Sequence, residues 1–140
     1  MKLIKLKGIV IKDVNYSDND KILTILTDEC GVITCMSKGC RKSTSSFLTS
    51  SQYLVYSEFI LYKGTSFYHL NSCSSITTFY NLRTDYDKLN LIFDITKNMK
   101  NLIYEETDSK EILSLFLNLL YIIEKDIKDN IFAISVFKIK

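Results

Sequence analysis

The first 80 residues carry short apolar runs separated by polar or glycine-bearing turns, a pattern typical of β-strands. The runs are rich in Val, Ile, Thr, Tyr and Phe, which pack well on a pleated surface. A small closed barrel is favoured, because closure removes the exposed edges that five short strands would otherwise present. The predicted strands are Leu3–Val14, Lys21–Thr27, Val32–Ser37, Tyr53–Tyr62 and Phe67–Cys73, the last open to extension through Ile76.

The connections between these runs are predicted from their composition. Asn15–Asp20 is a turn, because short polar side chains bond to the nearby backbone. Asp28–Gly31 predicts a hairpin between the second and third strands, with the glycine at positive φ. Gly8 predicts a bulge or bend in the first strand. Residues 43–51 contain seven hydroxyl side chains in nine, which predicts a mobile loop.

After Tyr80 the apolar spacing changes to that of helices. A second helix begins after Asp108–Glu111, which resembles a capping box with Asp108 in the cap. Because apolar side chains occupy several faces of this second helix, we expect it to lie centrally in a bundle that needs further helices. The first helix is marked by Leu89, Ile92, Phe93, Thr96, Met99 and Ile103.

A run of strands followed by a run of helices indicates an α+β fold. We predict a five-stranded barrel over residues 1–80 and a partial helical bundle over residues 81–140. The segment Ile131–Lys140 fits a strand or a helix and stops inside an apolar stretch, so we expect a truncated chain.

The composition excludes disorder and a membrane-spanning helix. Apolar residues make up 46% of the 140 residues and charged residues 24%, as in ordinary globular proteins. The longest apolar stretch, Ile112–Ile123, is shorter than the roughly 20 residues that cross a bilayer. The N-terminus alternates charged and apolar residues instead of forming a signal peptide, so we expect a cytoplasmic protein that does not bind membranes.

The four cysteines and the single histidine predict neither a metal site nor a cofactor. Cys30, Cys35, Cys40 and Cys73 form no CxxC pair, and His69 alone cannot complete a zinc finger. In a cytoplasmic chain we interpret the cysteines as reduced thiols that pack as small hydrophobic residues.

The positive charge of the chain is concentrated near its beginning. The net charge is +2, and residues 1–42 hold eight Lys and Arg against five Asp and Glu. Met36–Ser43 places three cations at a strand end among Gly and hydroxyl residues, which suits sequence-independent phosphate binding. Composition alone favours a solubilising turn here. The many aromatic residues of the last two strands are interpreted as packing, in preference to stacking on bases.

Several motifs, in order and spacing, resemble the bacterial RecO family. The resemblance implies an OB barrel followed by a helical domain, often with a four-cysteine zinc element further on, in members considerably longer than this chain. Two departures are the complete absence of Pro and the Cys40 that replaces a usual Ala. The matching residues are Gly8–Ile11, Asn15–Ile22, Thr27, Gly31, Ser37–Ser43, Glu58 and Leu61–Gly64, with a looser likeness over Val136–Lys140.

The resemblance implies a DNA repair and recombination mediator and not an enzyme. Such a protein binds single- and double-stranded DNA and anneals complementary strands. It engages the acidic tail of single-strand-binding protein and works with RecR to help RecA load. Lys38, Arg41 and Lys42 match the basic motif of the family and are the expected DNA contacts, with Lys21 and Lys63 as weaker candidates.

Three alternatives remain open from the sequence. One is a generic OB module that binds single-stranded nucleic acid through the same barrel and basic loop. Another is a cysteine-dependent hydrolase or redox protein that pairs Cys40 or Cys73 with His69. The third is an interaction scaffold whose helical half docks partner proteins while the barrel no longer binds DNA.

Overall fold

Five strands close into a barrel in a computed structural model that describes residues 2–39, 49–97 and 109–125. Around the barrel the order is β1-β2-β3-β5-β4, with β3 and β5 parallel and every other pair antiparallel. This is the OB topology, and it confirms the predicted fold class. The strands are β1 (Leu3–Asn15), β2 (Lys21–Thr27), β3 (Val32–Ser37), β4 (Tyr56–Lys63) and β5 (Tyr68–Thr77).

Three helices follow the barrel within the described residues: α1 (Tyr80–Arg83), α2 (Tyr86–Thr96) and α3 (Lys110–Glu124). The side chain of Asp85 caps α2 by accepting a hydrogen bond of 3.1 Å from the Lys88 N–H. The predicted continuation of this helix to Met99 and Ile103 lies outside the described residues. No helix in the described ranges combines the length and apolar character needed to cross a bilayer.

The fourth strand begins at Tyr56, three residues later than predicted, because Leu54 has a left-handed φ of 65°. An extended strand cannot continue through that backbone conformation. The bent segment still bonds to β1: the Leu54 N–H donates to the Val10 carbonyl at 2.8 Å, and the Val10 N–H donates to the Val55 carbonyl at 3.3 Å. Burial of Leu54 in the core holds the conformation in place.

The irregularity predicted near Gly8 is present in β1, but it comes after this residue, and Gly8 itself is a point of close approach. A Cβ at this position would lie 2.7 Å from Cγ2 of Ile25 and 2.8 Å from the carbonyl oxygen of Leu26. The irregularity in the pairing of β1 with β2 falls instead between Val10 and Lys12. Glycine therefore lets the two strands pack closely, and the bend comes after it.

The predicted hairpin between β2 and β3 is confirmed, with Gly31 at a φ of 66°. The Thr27 N–H donates to the Gly31 carbonyl at 2.9 Å, and the Thr27 hydroxyl donates to the same oxygen at 2.7 Å. The Cys30 N–H in turn donates to the Thr27 hydroxyl at 3.0 Å. One threonine side chain therefore closes the turn from inside.

Two apolar clusters stabilise the fold, one inside the barrel and one between the barrel and the helices. The barrel cluster consists of Leu6, Val10, Leu23, Ile25, Ile33, Cys35, Phe59, Leu61 and Tyr68. The junction cluster consists of Ile9, Ile11, Leu26, Val32, Leu54, Phe79, Leu82, Ile92, Ile95, Leu113, Phe116, Leu119, Leu120 and Ile123. Strands β1 and β2 contribute to both clusters, so β2 and the central part of β1, residues 8–11, are buried on both faces. The division of the chain into domains at residue 80 stays a prediction.

Part of the predicted loop over residues 43–51 is buried. Ser50 and Ser51 are both inaccessible, and the Ser50 hydroxyl lies 2.7 Å from the hydroxyl of Ser75 on β5. Ser50 and Ser51 lie in a turn outside the strands and helices, which agrees with the predicted loop, but this end of the segment packs within the fold. Residues 43–48 lie outside the described residues.

Ser109 holds the N-cap position of α3, and Asp108, the predicted cap, lies outside the described residues. The Ser109 hydroxyl makes no capping bond to its own helix. Instead it accepts a hydrogen bond of 3.0 Å from the Gly31 N–H and donates to the Thr27 carbonyl. The start of α3 is thereby bonded to the β2–β3 hairpin, which is 78 residues earlier in the chain.

We predict that Ser109→Ala lowers the free energy of unfolding by about 1–3 kcal/mol, because it leaves a buried N–H and a buried carbonyl without their partner. Ser114→Ala is the matched control, since Ser114 is exposed on the same helix. Urea unfolding of both variants measures the difference. Equal stability of the two variants would show that the bonds to the hairpin contribute nothing.

Candidate nucleic-acid interface

Lys38 is exposed directly after the end of β3. It belongs to the sequence Met36–Ser43, which carries three cations and which we call the basic segment. The following residue, Gly39, has a φ of 71°, and its N–H donates a hydrogen bond of 2.7 Å to the Asp20 carboxylate. Asp20 belongs to the turn between β1 and β2, so this turn fixes the exit of the basic segment. Arg41 and Lys42 lie outside the described residues, and their role stays a prediction.

Lys21 lies beside the end of β3, but its ammonium is paired with the Asp13 carboxylate. In the ladder between β2 and β3 it is opposite Ser37, the residue that precedes Lys38. Its ammonium lies 3.0 Å from the Asp13 carboxylate, and only 14% of its side chain is exposed. A phosphate could reach Lys21 only by sharing it with Asp13.

Lys63 is exposed at the end of β4, and its ammonium lies 5.9 Å from the centre of the Tyr68 ring. The ladder places Lys63 opposite Tyr68, and Tyr68 beside Cys35 on β3. The structure thus brings Lys21 and Lys38 to one end of the β2–β3 pair and puts Lys63 across β5 from them. Their contacts with DNA stay predictions.

Most aromatic residues of β4 and β5 pack within the protein, as predicted. Phe59 and Tyr68 belong to the barrel cluster, and Tyr56 packs against the junction cluster. The Tyr62 ring stacks on His69, with ring centres 5.0 Å apart and planes inclined by 16°. Among the described aromatic residues, the most exposed lie elsewhere: Tyr16, Tyr80, Tyr86 and Phe93. Phe93 fits the apolar spacing that marked the first helix, but it is exposed on that helix.

A cavity of about 420 Å³ opens where the barrel meets the first two helices, and we call it the junction cavity. Its walls combine segments that are distant in sequence, which is why sequence patterns did not reveal it. Thr84 and Leu89 lie at its helical side. The other lining residues are Asp13, Lys21, Gln52, Tyr53, Tyr80 and Arg83.

Arg83 is held in this cavity by the backbone and by an amide. Its guanidinium donates to the Thr78 carbonyl at 3.2 Å and to the Gln52 side-chain oxygen. Burial lowers the pKa of the Arg83 guanidinium, and the negative charge of Asp13 opposes that effect. Because the ordinary pKa of arginine is so high, the group stays charged.

The Tyr53 ring forms the wall of the junction cavity on the side of α2. Its hydroxyl lies 2.7 Å from the Thr96 hydroxyl. Burial raises the pKa of Tyr53 to about 12, the Thr96 hydrogen bond opposes the shift, and the Asp13 charge adds to it. Tyr53 is therefore a neutral structural residue across the physiological pH range.

The described residues gather no group of three or more His, Cys, Asp or Glu side chains that could hold a metal ion. Cys35 is buried in the barrel cluster, and Cys30 and Cys73 pack against it, which confirms the hydrophobic role predicted for these three. The ring of His69 stacks on Tyr62. Cys40 lies outside the described residues.

Comparison with known proteins connects this geometry to one family. Residues 1–79 match the family model described as "Recombination protein O N terminal". Curated proteins called "DNA repair protein RecO" are similar over the full chain: that of Acetivibrio thermocellus is 36% identical over 140 residues, which is 56% of its length. The RecO protein of Caldicellulosiruptor saccharolyticus is 40% identical over 125 residues, 89% of this chain and 51% of the relative. The chain thus spans about half the length of these relatives.

We predict that the raised pKa of Tyr53 makes stability fall with pH in the alkaline range. Folding favours the protonated phenol, so this contribution is complete below about pH 10 and is lost as the pH rises toward about 12. Tyr53→Phe removes the titrating group and one hydrogen bond, so the variant should be less stable near neutral pH. Its deficit should shrink by about 1 kcal/mol between about pH 9 and pH 11.

Chemical unfolding at a series of pH values measures this deficit. Tyr16→Phe is the control, because Tyr16 is exposed and is not among the residues that line the cavity. A deficit of Tyr53→Phe that stays constant across the range would contradict the burial effect.

Proposed function

Because this chain belongs to the RecO family, we propose that it acts in DNA repair and homologous recombination by binding DNA through the barrel. In this proposal it binds single and double strands, anneals complementary strands, and helps RecA load together with RecR and the acidic tail of single-strand-binding protein. The observation that carries the proposal is the family match over residues 1–79, which includes the exit of the basic segment after β3.

The geometry of that exit supports contact with phosphates. Lys38 is exposed, and the hydrogen bond from the Gly39 N–H to the Asp20 carboxylate holds the last described residue of this segment against the β1–β2 turn. Cations presented in this way neutralise backbone charge and release counterions, whatever the base sequence. Sequence-independent binding is what a repair and recombination mediator requires, because damage occurs at arbitrary positions.

The proposed role needs no bond to be made or broken. Annealing requires only that two strands be held with their charges partly neutralised and their bases free to pair. The alternative of a cysteine-dependent enzyme would use Cys40 or Cys73 with His69. Cys73 packs against the barrel cluster and the His69 ring stacks on Tyr62, whereas Cys40 lies outside the described residues. The proposal therefore assigns the chain a binding and organising role, and not a catalytic one.

We predict that changing Lys38, Arg41 and Lys42 together to Ala weakens DNA binding and flattens its salt dependence. The slope of log affinity against log salt should fall by about 0.7 for each lost contact with a single strand. Fluorescence anisotropy of a labelled oligothymidylate, titrated with the 140-residue chain at several salt concentrations, measures the slope.

The matched control changes Lys5, Lys7 and Lys12 to Ala, which removes the same number of charges from exposed positions of β1. If affinity depended on total charge alone, the slope of log affinity against log salt would decrease equally in both triple variants. An unchanged slope in the first variant would contradict the assignment of the basic segment.

We further predict that annealing separates this proposal from a generic OB module for single strands. The chain should accelerate pairing of two complementary labelled oligonucleotides, measured by energy transfer, and the Lys38, Arg41 and Lys42 variant should lose most of that acceleration. A generic module would bind the strands and slow their pairing, because it would cover their bases. Binding without acceleration would therefore favour the generic module.

A further inference from the structure

The junction cavity is separate from the proposed DNA contacts of the basic segment. It lies between the β1–β2 end of the barrel and helices α1 and α2. Its volume of about 420 Å³ falls within the range of about 300–1,000 Å³ that is usual for small-molecule sites. Polar and apolar groups converge on it from separate parts of the described chain. The chemistry of these groups decides which class of ligand they would recognise.

Arg83 offers hydrogen-bond donors to a ligand in this cavity. Of the five N–H groups of a guanidinium, the described structure uses one toward the Thr78 carbonyl and one toward Gln52. Both bonds hold the planar group in a fixed orientation. Its remaining donors suit the oxygens of one phosphate, which arginine binds in a forked geometry.

The charges that line the cavity suit one anion and not several. Lys21 and Arg83 supply two positive charges, and Asp13, which is 3.0 Å from the Lys21 ammonium, supplies one negative charge. The net charge of +1 matches one phosphodiester. A peptide rich in carboxylates would place several negative charges near Asp13, and like charges repel at this distance.

The rim of the cavity provides a surface for a base. Tyr80 lines the cavity, and 67% of the residue is exposed, so its ring is accessible to a ligand at the rim. Aromatic rings stack on any nucleobase, because every base has a π-face. Gln52 and Asp13 supply an amide and a carboxylate that can bond to base edges.

We infer that the junction cavity binds one nucleotide of single-stranded DNA, with the base on Tyr80 and the adjoining phosphate on Arg83. This inference rests on the proposed function and adds a second contact point beyond the basic segment. Lys21 lines the same cavity and would add to the attraction for the phosphate while it stays paired with Asp13. Duplex DNA keeps its bases stacked, so the site would favour single strands.

Tryptophan fluorescence tests the inference directly, because the chain contains no Trp. Tyr80→Trp places one reporter at the rim, and Tyr86→Trp places a matched reporter at the first residue of α2, where 77% of the residue is exposed outside the cavity. Titration with unlabelled oligothymidylate should quench the first variant and leave the second unchanged. Stacking on a base is the expected cause of quenching.

Two further variants measure the affinity, with labelled oligothymidylate as the probe. Tyr80→Ala should weaken binding by about tenfold, in line with the loss of one stacked base. Arg83→Gln should lower the salt slope by about 0.7. Tyr86→Ala is the control and should bind as the unchanged chain does.

The outcomes distinguish an error in the inference that the cavity binds a nucleotide from an error in the proposed function. Strong binding by the unchanged chain, together with an unquenched Tyr80→Trp and full affinity of Tyr80→Ala, would overturn the cavity and leave the proposed function standing. No binding of oligothymidylate by the unchanged chain would overturn both. Quenching of Tyr80→Trp by pentaglutamate but not by oligothymidylate would overturn the nucleotide in favour of an acidic peptide.

Discussion

The burial of β2 and of residues 8–11 of β1 on both faces is the constraint on which the rest of the structure depends. Val10 and Ile25 fill the barrel, whereas Ile9 and Leu26 lie in the junction cluster with the helices. Leaving one large aliphatic side chain in water forgoes about 1.5–3 kcal/mol, so an uncovered outer face would be strongly unfavourable. The helices therefore contribute to the stability of the barrel itself. Two left-handed residues in the same cluster, Leu54 and Phe79, show that packing overrides local backbone preference here.

Covering a barrel with a helix also buries backbone polar groups, and Ser109 satisfies two of them. The Gly31 N–H and the Thr27 carbonyl lose access to water beneath α3, and a buried group without a partner is costly. The serine hydroxyl both donates and accepts, so a single side chain serves both groups. This contact fixes where α3 begins on the barrel. The apolar cluster, which is non-directional, could not fix that position alone.

Sequence patterns predicted the elements well and the contacts between them poorly. Strands β1 to β3 follow directly from alternation and turn composition, and the hairpin glycine at Gly31 follows from the need for positive φ. The late start of β4 could not be predicted in this way, because no sequence pattern marks the left-handed conformation of Leu54. Burial of β1 on both faces at Ile9–Ile11 was not predicted, although the loss of alternation in this triplet is the pattern of strands covered on both sides. The pairing of Lys21 with Asp13 and the junction cavity depend on tertiary distances that no spacing encodes.

The distribution of charge indicates how affinity for DNA would arise in this chain. The five candidate cations together with Arg83 would give a salt slope of at most about 4.2 on single strands, which is at the low end for proteins that make about six to ten phosphate contacts. Lys21 would add less than a free cation, because it must share its charge with Asp13. Electrostatic attraction alone would therefore hold a strand loosely and let it exchange. A stacked base, whose contribution salt does not screen, would retain the strand at one point while its neighbours stayed free to pair. Loose charge contacts combined with one stacking contact are compatible with strand annealing, which needs DNA to be held without being covered.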